Sequence, residues 1–96
     1  MFPGLTTKIS EEVLASAASI SPTKDMILLS GSTAIATIVP HFGGGFSGIL
    51  ILVPTAGTLG LLTTGNIGVA VTMPQNRATV LTYSKLNNTW YPGAIS

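Results

Sequence analysis

Hydrophobic residues along this chain fall in short runs that are separated by turn-forming residues. Clusters of Gly, Pro, Asn and Ser recur roughly every 8 to 12 residues, a spacing typical of a compact all-β domain. The runs between them are rich in Ile, Val, Thr and aromatic side chains, which suit a pleated and half-buried surface. These runs predict strands at residues 26–29, 33–39, 48–53, 58–62, 67–72, 77–84 and 89–91.

One predicted strand, at residues 48–53, is apolar at successive positions instead of alternating. A strand that buries both of its faces needs cover on both sides, and a domain of this size can hardly supply that cover by itself. We therefore expect this strand to touch a partner subunit. The expected contact residues are Ile49, Leu50, Ile51, Leu52 and Val53.

The segment at residues 10–18 allows two interpretations. Its first Ser can cap a helix whose first turn holds two Glu residues, and apolar side chains then recur at helical spacing. The alternative is an extended arm, because an isolated helix shorter than about 12 residues is marginal in water. Both remain open, and we divide the chain into an N-terminal arm at residues 1–25 and a β-rich body at residues 26–96.

Size and composition fit one small domain without covalent cross-links. The chain has 96 residues, of which 46% are hydrophobic and 7% charged, and it contains no Cys. Disulfides and thiolate metal sites are thereby excluded, which leaves oligomerisation as the source of extra stability. The fold class that we expect from the strand pattern is mainly β, with the arm or a short helix ahead of the β-rich body.

Charge is scarce and unevenly placed. The net charge is +1, and residues 26–76 contain no Asp, Glu, Lys or Arg. Nucleic-acid binding is disfavoured, because it needs several phosphate contacts from Lys or Arg. A spanning helix needs about 20 apolar residues, whereas Pro and Gly interrupt this segment and leave residues 49–53 as its longest strongly apolar run. We therefore expect neither a nucleic-acid partner nor a membrane partner.

Residues able to carry catalysis or to bind metals are few. His41 is the only imidazole, and Glu11, Glu12 and Asp25 are the only carboxylates. A hydrolytic triad needs a base, an orienting acid and a nucleophile within hydrogen-bond reach, and no acid lies near His41 in sequence. We interpret His41 as a surface residue of a loop and expect no catalytic residue, no cofactor and no metal site. The glycine-rich run at residues 42–46 lacks the Lys and Ser or Thr of a phosphate-binding loop, so it predicts a turn flanked by two Phe residues.

Three large aromatic residues lie toward the C-terminal end. Tyr83, Trp90 and Tyr91 flank a short polar turn, and each side chain of this kind buries roughly 150 to 250 Å². We interpret them as core anchors of a C-terminal hairpin. The alternative is an aromatic platform that binds carbohydrate, which exposure of the rings would favour.

A set of short sequence elements spans residues 26–92. In chain order they are Ser30-Gly31-Ser32, residues 34–40, the Gly/Phe-rich loop, residues 48–54, residues 63–67, Leu81-Thr82-Tyr83 and Trp90-Tyr91-Pro92. Together they resemble a β-rich module of tailed-bacteriophage virion proteins, found in head decoration proteins, head fibres and tail appendages. Gly65-Asn66-Ile67 and Trp90-Tyr91 are the most specific elements. The chain departs from that pattern at residues 84–88, where the module commonly has an Asp-Gly tight turn.

The resemblance implies a non-enzymatic structural protein that forms a homotrimer and whose body is a small antiparallel β-sandwich or jelly-roll-like barrel. We expect it on the outer surface of a virion capsid. Its partners would be further copies of the chain and the major capsid protein, and no catalytic residue follows from it. Phe2, Leu5 and Ile9 are apolar residues in an arm too short to form a core, so they are the expected capsid contact. So short a chain, with no shaft domain, suits a capsid decoration (cement) protein that stabilises the head shell better than a long fibre.

Two other functions compete with this expectation. A head-fibre or tail-appendage adhesion module would bind host carbohydrate through the C-terminal aromatic residues. A small membrane-active phage protein would explain the long segment without charge, although its Pro and Gly interruptions disfavour a spanning helix.

Overall fold

The computed structural model describes residues 10–42 and 45–95, and in this part of the chain all regular structure is β-strand. The prediction of a mainly β fold is confirmed. The strands are β1 (Glu11–Ala15), β2 (Ser19–Ile20), β3 (Met26–Ser30), β4 (Thr37–Ile38), β5 (Gly48–Pro54), β6 (Leu59–Leu61), β7 (Val71–Met73), β8 (Thr79–Ser84) and β9 (Thr89–Ile95).

The strands from β1 to β6 form a coil in which the chain passes alternately through two layers. β1, β3 and β5 lie in the first layer, where each pairs in parallel with the next. In the second layer β2 pairs in parallel with β4, and a parallel bridge between Ile35 and Leu61 joins the same stretch of chain to β6. Two strands that follow each other in the chain, one in each layer, therefore make up one rung of the coil. The three rungs are β1 and β2, β3 and β4, and β5 and β6.

We expected antiparallel sheets, but β1, β3 and β5 pair in parallel, and the coil explains this difference. A chain that reverses at a tight turn pairs antiparallel, whereas a chain that crosses to another layer and returns pairs in parallel. Ser16, at the corner after β1, shows how successive rungs are joined. Its N–H donates to the carbonyl O of Ser30 at 2.8 Å, and its Oγ accepts from the N–H of Thr33 at 3.0 Å. The early turns thus carry the chain across the core instead of reversing it within one sheet.

The C-terminal part of the chain closes the coil with antiparallel strands. β8 pairs antiparallel with β5, and β9 with β8, so the first layer becomes a five-stranded sheet in the order β1-β3-β5-β8-β9, named here the main sheet. β7 pairs antiparallel with β6 in the second layer. Asn88 ends the turn between β8 and β9 with a φ of 52°, a left-handed conformation that Asn adopts more readily than most residues. The predicted C-terminal hairpin is present, and its second strand is longer than expected.

The hydrophobic core lies between the two layers. Main-sheet residues that face it include Ile27, Leu29, Leu50, Leu52 and Leu81, all 0% exposed. The second layer contributes Ile20, Ile35, Ile38, Leu59, Leu61 and Met73 to the same cluster. Alternate residues of the main-sheet strands are buried in this core, as the period of two along a strand requires.

Residues 11–15 are extended, so the helix interpretation of residues 10–18 is wrong. They form β1, whose residues align one to one with Met26–Ser30 of β3. Pairing with β3 satisfies backbone groups that a helix would have satisfied internally, and tertiary contacts of this kind override a weak local helix preference. Over the described residues, the segment that we assigned to an arm contributes the first rung of the coil.

Two predicted strands are shorter than expected. Of residues 33–39, only β4 is a strand. Of residues 67–72, Ile67 makes a single bridge to Trp90, and the strand begins at Val71. Backbone hydrogen bonds join Asn66 and Gly68 to Trp90, while Val69 is 53% exposed, so the apolar alternation at these positions does not form one buried strand face.

Candidate interaction surface

Alternation along β5 divides the residues predicted to contact a partner into two sets. Leu50 and Leu52 face the core and are 0% exposed, so they are not available to another chain. Ile49 is 57% exposed, and Ile51 and Val53 are half-buried on the opposite side of the strand. The expected subunit contact therefore narrows to Ile49, Ile51 and Val53.

The apolar character of β5 extends across the outward side of the main sheet, named here the outer face. β5 is the central strand, with β1 and β3 on one side and β8 and β9 on the other. The outward apolar side chains on the flanking strands are Val13, Met26, Leu28, Val80 and Tyr91. Strand pairing places Val13, Met26, Leu28 and Val80 in rows with Ile51 and Val53, so the middle of the outer face is apolar. Polar groups lie toward its sides, where Thr82 separates Tyr91 from Ile49 and Glu11 is paired with Met26.

Charge is confined to the margins of the outer face. The strands of the main sheet carry only two charged side chains, Glu11 and Glu12, both on the edge strand β1. Lys24 and Asp25 precede β3, and Lys85 follows β8, so these charges lie beyond the strand ends. A largely apolar surface without charge at its centre makes the outer face the candidate interaction surface of the described residues.

Glu12 binds the turn between β2 and β3. Its carboxylate accepts hydrogen bonds from the N–H of Thr23, from Oγ1 of Thr23 at 3.0 Å and from the N–H of Lys24 at 3.1 Å. The backbone hydrogen bond from Thr23 is the main cause that lowers the pKa of Glu12 from its ordinary value of 4.5. Glu12 therefore fixes the crossover between the first two rungs.

The C-terminal aromatic residues divide between the core and the outer face. Trp90 is 0% and Tyr83 is 4% exposed, and their ring centroids lie 5.0 Å apart. Phe42 packs edge-on against both rings, with its centroid 5.8 Å from that of Tyr83 and 5.9 Å from that of Trp90. Tyr91, expected as a third core anchor, is instead 40% exposed, because alternation along β9 points it to the outer face. The aromatic platform of the carbohydrate alternative is thereby reduced to Tyr91.

Asn66 joins the second layer to β9. Its Oδ1 accepts from the N–H of Ile38 at 2.9 Å, and its Nδ2 donates to the carbonyl O of Ile38 at 2.7 Å. The indole Nε1–H of Trp90 donates to that same carbonyl O at 3.0 Å, and the backbone N–H of Trp90 donates to the carbonyl O of Asn66 at 2.8 Å. The side-chain amide of Asn66 thus bonds to both the N–H and the carbonyl O of Ile38, as the backbone of a neighbouring strand would.

Gly65 is required where this network brings backbones close together. A Cβ at Gly65 would lie 2.2 Å from the carbonyl O of Ala36, too close for any side chain. Gly68 lies under Tyr91, whose ring would be 2.9 Å from a Cβ at that position. The elements Gly65-Asn66-Ile67 and Trp90-Tyr91, on which the sequence resemblance most depends, are therefore in direct contact.

His41 is not the surface residue that we expected from the sequence. Its side chain is 7% exposed, and its Nε2 lies 2.9 Å from Oδ1 of Asp25. Its ring packs edge-on against Phe42, with centroids 4.9 Å apart. Asp25 is distant from His41 in sequence, but the coil returns the chain to the same end of the core 16 residues after Asp25, so the two side chains meet in space. Neither residue carries a local sequence signal for this pairing.

The chemistry of the His41–Asp25 pair is limited. Nδ1 of His41 is buried and has no hydrogen-bond partner among the described residues, so no hydroxyl there completes a triad with it. Within the same part of the chain, no three His, Cys, Asp or Glu side chains lie close enough together to hold a metal ion. The pair ties the loop before β5 to the start of β3.

The glycine-rich loop uses its two Phe residues differently. Phe42 packs against the core and covers Gly48, where a Cβ would come within 2.8 Å of its ring. Phe46 is 67% exposed. Residues 43–44 between them lie outside the described part of the chain.

Phe2, Leu5 and Ile9, the expected capsid contacts, lie outside the described residues. The described part of the chain has no helix that is long and apolar enough to cross a membrane. A shallow open depression between β6 and β7 is lined by residues 60–62 and 70–72, none of which is ionisable.

Comparisons of the chain with protein families, with curated proteins and with solved structures found no match. The resemblance to phage virion proteins therefore stays a prediction from the sequence elements.

Proposed function

We propose that the chain is a structural virion protein of a tailed bacteriophage, a homotrimeric capsid decoration protein that binds and stabilises the outer surface of the head shell. In this proposal it is not an enzyme and uses no cofactor. Its partners are copies of itself and the major capsid protein.

The observation that carries the proposal is the outer face. Val13 is 66% and Ile49 is 57% exposed, and they lie beside half-buried apolar residues on the same side of the main sheet. Leaving apolar surface in water costs about 25 cal/mol per Å². A structural protein that packs permanently against other copies of the chain removes this cost, and self-association is the property that the decoration role requires.

The polar interactions of the described residues also support a structural role. The side chain of Asn66 bonds to Ile38, that of Glu12 bonds to the turn at Thr23, and that of His41 bonds to Asp25. Each bond ties together segments that are distant in sequence. None of these side chains lines the depression between β6 and β7.

The viral part of the proposal rests on the sequence elements that resemble phage virion modules. Contact between Gly65-Asn66-Ile67 and Trp90-Tyr91 makes the two most specific elements one structural unit, which supports reading them together. In the proposed complex, Phe2, Leu5 and Ile9 bind the major capsid protein, and the outer face binds other copies of the chain.

The proposal is tested by producing the chain together with the major capsid protein of the same phage and sedimenting the assembled shells. We expect the chain to sediment with the shells and to raise the temperature at which they dissociate. A variant that lacks residues 1–9 should stay oligomeric but sediment weakly. If the full-length chain stays in the supernatant, the decoration role is wrong; if the truncated chain binds undiminished, attachment belongs to the body.

A second function, an adhesion module of a head fibre or tail appendage that binds host carbohydrate, is favoured by Tyr91 alone. Its ring is 40% exposed, and its hydroxyl accepts a hydrogen bond from Nδ2 of Asn87 at 2.9 Å. An aromatic ring beside polar groups is a common arrangement in ligand sites. Glycan binding by the wild-type chain that Tyr91→Ala abolishes would favour adhesion over decoration.

A further inference from the structure

We propose that the end of the main sheet at which β5 begins faces the capsid shell, and that Phe46 and Leu86 at this end insert into apolar depressions on the major capsid protein. The loops that carry them, at residues 45–47 and 85–88, are named here the tip. This inference rests on the proposed decoration role and adds a contact to the one assigned to the N-terminal segment. The tip is separate from the outer face, so both surfaces can be occupied at once.

Phe46 and Leu86 lie in neighbouring loops. The first loop leads into β5, and the second joins β8, the strand paired with β5, to β9. The backbone N–H of Lys85 donates to Oγ of Ser47 at 3.1 Å and connects the two loops directly. Both apolar side chains therefore belong to the same end of the body.

The tip projects beyond the start of the other parallel strands. Met26, the first residue of β3, pairs with Ile51, which lies three residues after Gly48, the first residue of β5. At about 3.3 Å per residue, the start of β5 stands about 10 Å farther out than the start of β3. Glu11, the first residue of β1, lies in the same row as Met26. A broad partner surface that approaches this end therefore meets the tip first.

The two ends of the body differ in the apolar side chains that they expose. Phe46 is 67% and Leu86 is 91% exposed, the highest values among the large hydrophobic residues of the described chain. At the opposite end, the loops at residues 31–33, 55–58 and 75–77 are also described, and they expose no large hydrophobic side chain. Exposed apolar side chains that lie together are typical of contact sites for other proteins. Of the two described ends, only the tip end therefore offers large apolar anchors to a partner.

The segment proposed to bind the capsid joins the body at the tip end. Ser10 is the described residue nearest in sequence to Phe2, Leu5 and Ile9, and its carbonyl O accepts from the backbone N–H of Met26 at 3.0 Å. Because β3 and β5 are parallel, the start of β3 lies at the same end as the start of β5. A partner that holds the N-terminal segment is thus brought to the tip, which is why we assign the tip to the major capsid protein.

The inference is tested with shells of the major capsid protein of the same phage, to which each variant of the chain is added at increasing concentration before sedimentation. The tip variants are Phe46→Asp and Leu86→Asp, and Ala56→Asp is the matched control, since Ala56 is exposed at the opposite end. We expect each tip variant to weaken binding about tenfold or more, as loss of an apolar anchor does, and the control to bind within about twofold of the wild type. All three variants should keep the wild-type circular dichroism spectrum, because the replaced side chains are exposed.

The binding curves separate this inference from the proposed function. If the wild-type chain sediments with the shells and both tip variants bind as tightly, the tip is not a contact, while the decoration role stands. If the wild-type chain does not bind the shells, the decoration role and the inference are both wrong. If Ala56→Asp weakens binding as much as the tip variants do, the assignment of the shell-facing end is wrong.

Thiol labelling covers the case in which a tip variant fails to fold. Because the chain contains no Cys, Leu86→Cys and Ala56→Cys each introduce a single thiol at an exposed position. Reaction with a maleimide should be slower for shell-bound than for free Leu86→Cys, and equally fast for bound and free Ala56→Cys. Protection of the thiol at position 56, or no protection at position 86, would overturn the proposed orientation.

Discussion

The inner side and the outer face of the main sheet are both apolar, and they differ in what covers them. Leu50 and Leu52 are 0% exposed beneath the second layer, whereas Ile49, on the same strand, is 57% exposed. The period of two along a strand places the two sets on opposite sides. A strand that is apolar at every position thus indicates two contacts, and the topology decides which of them the chain supplies by itself.

The largest expected effect comes from comparing Trp90→Ala with Tyr91→Ala. Trp90 is 0% exposed and donates to Ile38 through its indole N–H, so its removal should lower the free energy of unfolding by about 3 to 5 kcal/mol. Tyr91→Ala, which removes a side chain from the outer face, should lower the free energy of unfolding by about 1 kcal/mol or less. Denaturant unfolding of both variants at the same chain concentration measures the difference. Equal losses would contradict the assignment of the two residues to opposite sides.

Asn66→Ala should have the next largest effect. It removes both hydrogen bonds to Ile38 and leaves the N–H of Ile38 without that acceptor, which should cost about 2 to 3 kcal/mol. Asn87→Ala is the matched control, because Asn87 is exposed, and it should change stability by less than about 0.5 kcal/mol. Similar denaturation midpoints for the two variants would show that the second layer does not depend on Asn66.

His41→Ala should have a smaller effect than either core variant, although larger than a surface histidine would give. Its ring is 7% exposed and bonds to Asp25, so we expect a loss of about 1 to 2 kcal/mol. The thermal melting temperature of His41→Ala should fall between those of the wild type and Trp90→Ala. A melting temperature below that of Trp90→Ala would make the loop before β5, and not the C-terminal hairpin, the main anchor of the core.

The smallest expected effect is the pH dependence contributed by Glu12. Its pKa in the folded chain lies below its ordinary value of 4.5, chiefly because of the backbone hydrogen bond from Thr23. Its contribution to stability is therefore complete above pH 4.5 and is lost as the pH falls through the lowered pKa. The free energy of unfolding, measured at a series of pH values in this range, should change less with pH for Glu12→Gln than for the wild type. Identical titration curves would contradict the role of this carboxylate.

Strand content was predictable from the sequence, because turn residues and β-branched runs act locally. Most of the strands predicted beyond residue 25 exist, with shifts at residues 33–39 and 67–72. The parallel coil was not predictable, since a turn that reverses the chain and a turn that crosses to another layer use the same residues. The strand at residues 11–15 was missed for a related reason: only its pairing with β3, a distant contact, decides against a helix.

The candidate surface was predictable in part. The apolar run at residues 49–53 pointed to the central strand of the outer face, but it could not separate Ile51 from Leu50, because that division depends on the register with β3 and β8. Burial of His41 had no local signal, because Asp25 reaches it only through the stacking of rungs. Asn66 belongs to one of the sequence elements that resemble the phage modules. Its hydrogen bonds to the backbone of Ile38 could not be predicted, because Ile38 lies 28 residues away in the chain.

The rungs of the coil differ in length without any change in their pairing. Glu11 aligns with Met26, and Met26 with Ile51, so one rung advances 15 residues and the next advances 25. The longer rung includes residues 39–42 and 45–47, which lie outside the strands. A fold built in this way can gain or lose sequence at its corners while every strand keeps its neighbours. Insertions at the loop before β5 are therefore the route by which such a protein could acquire a new recognition element during evolution without rebuilding its core.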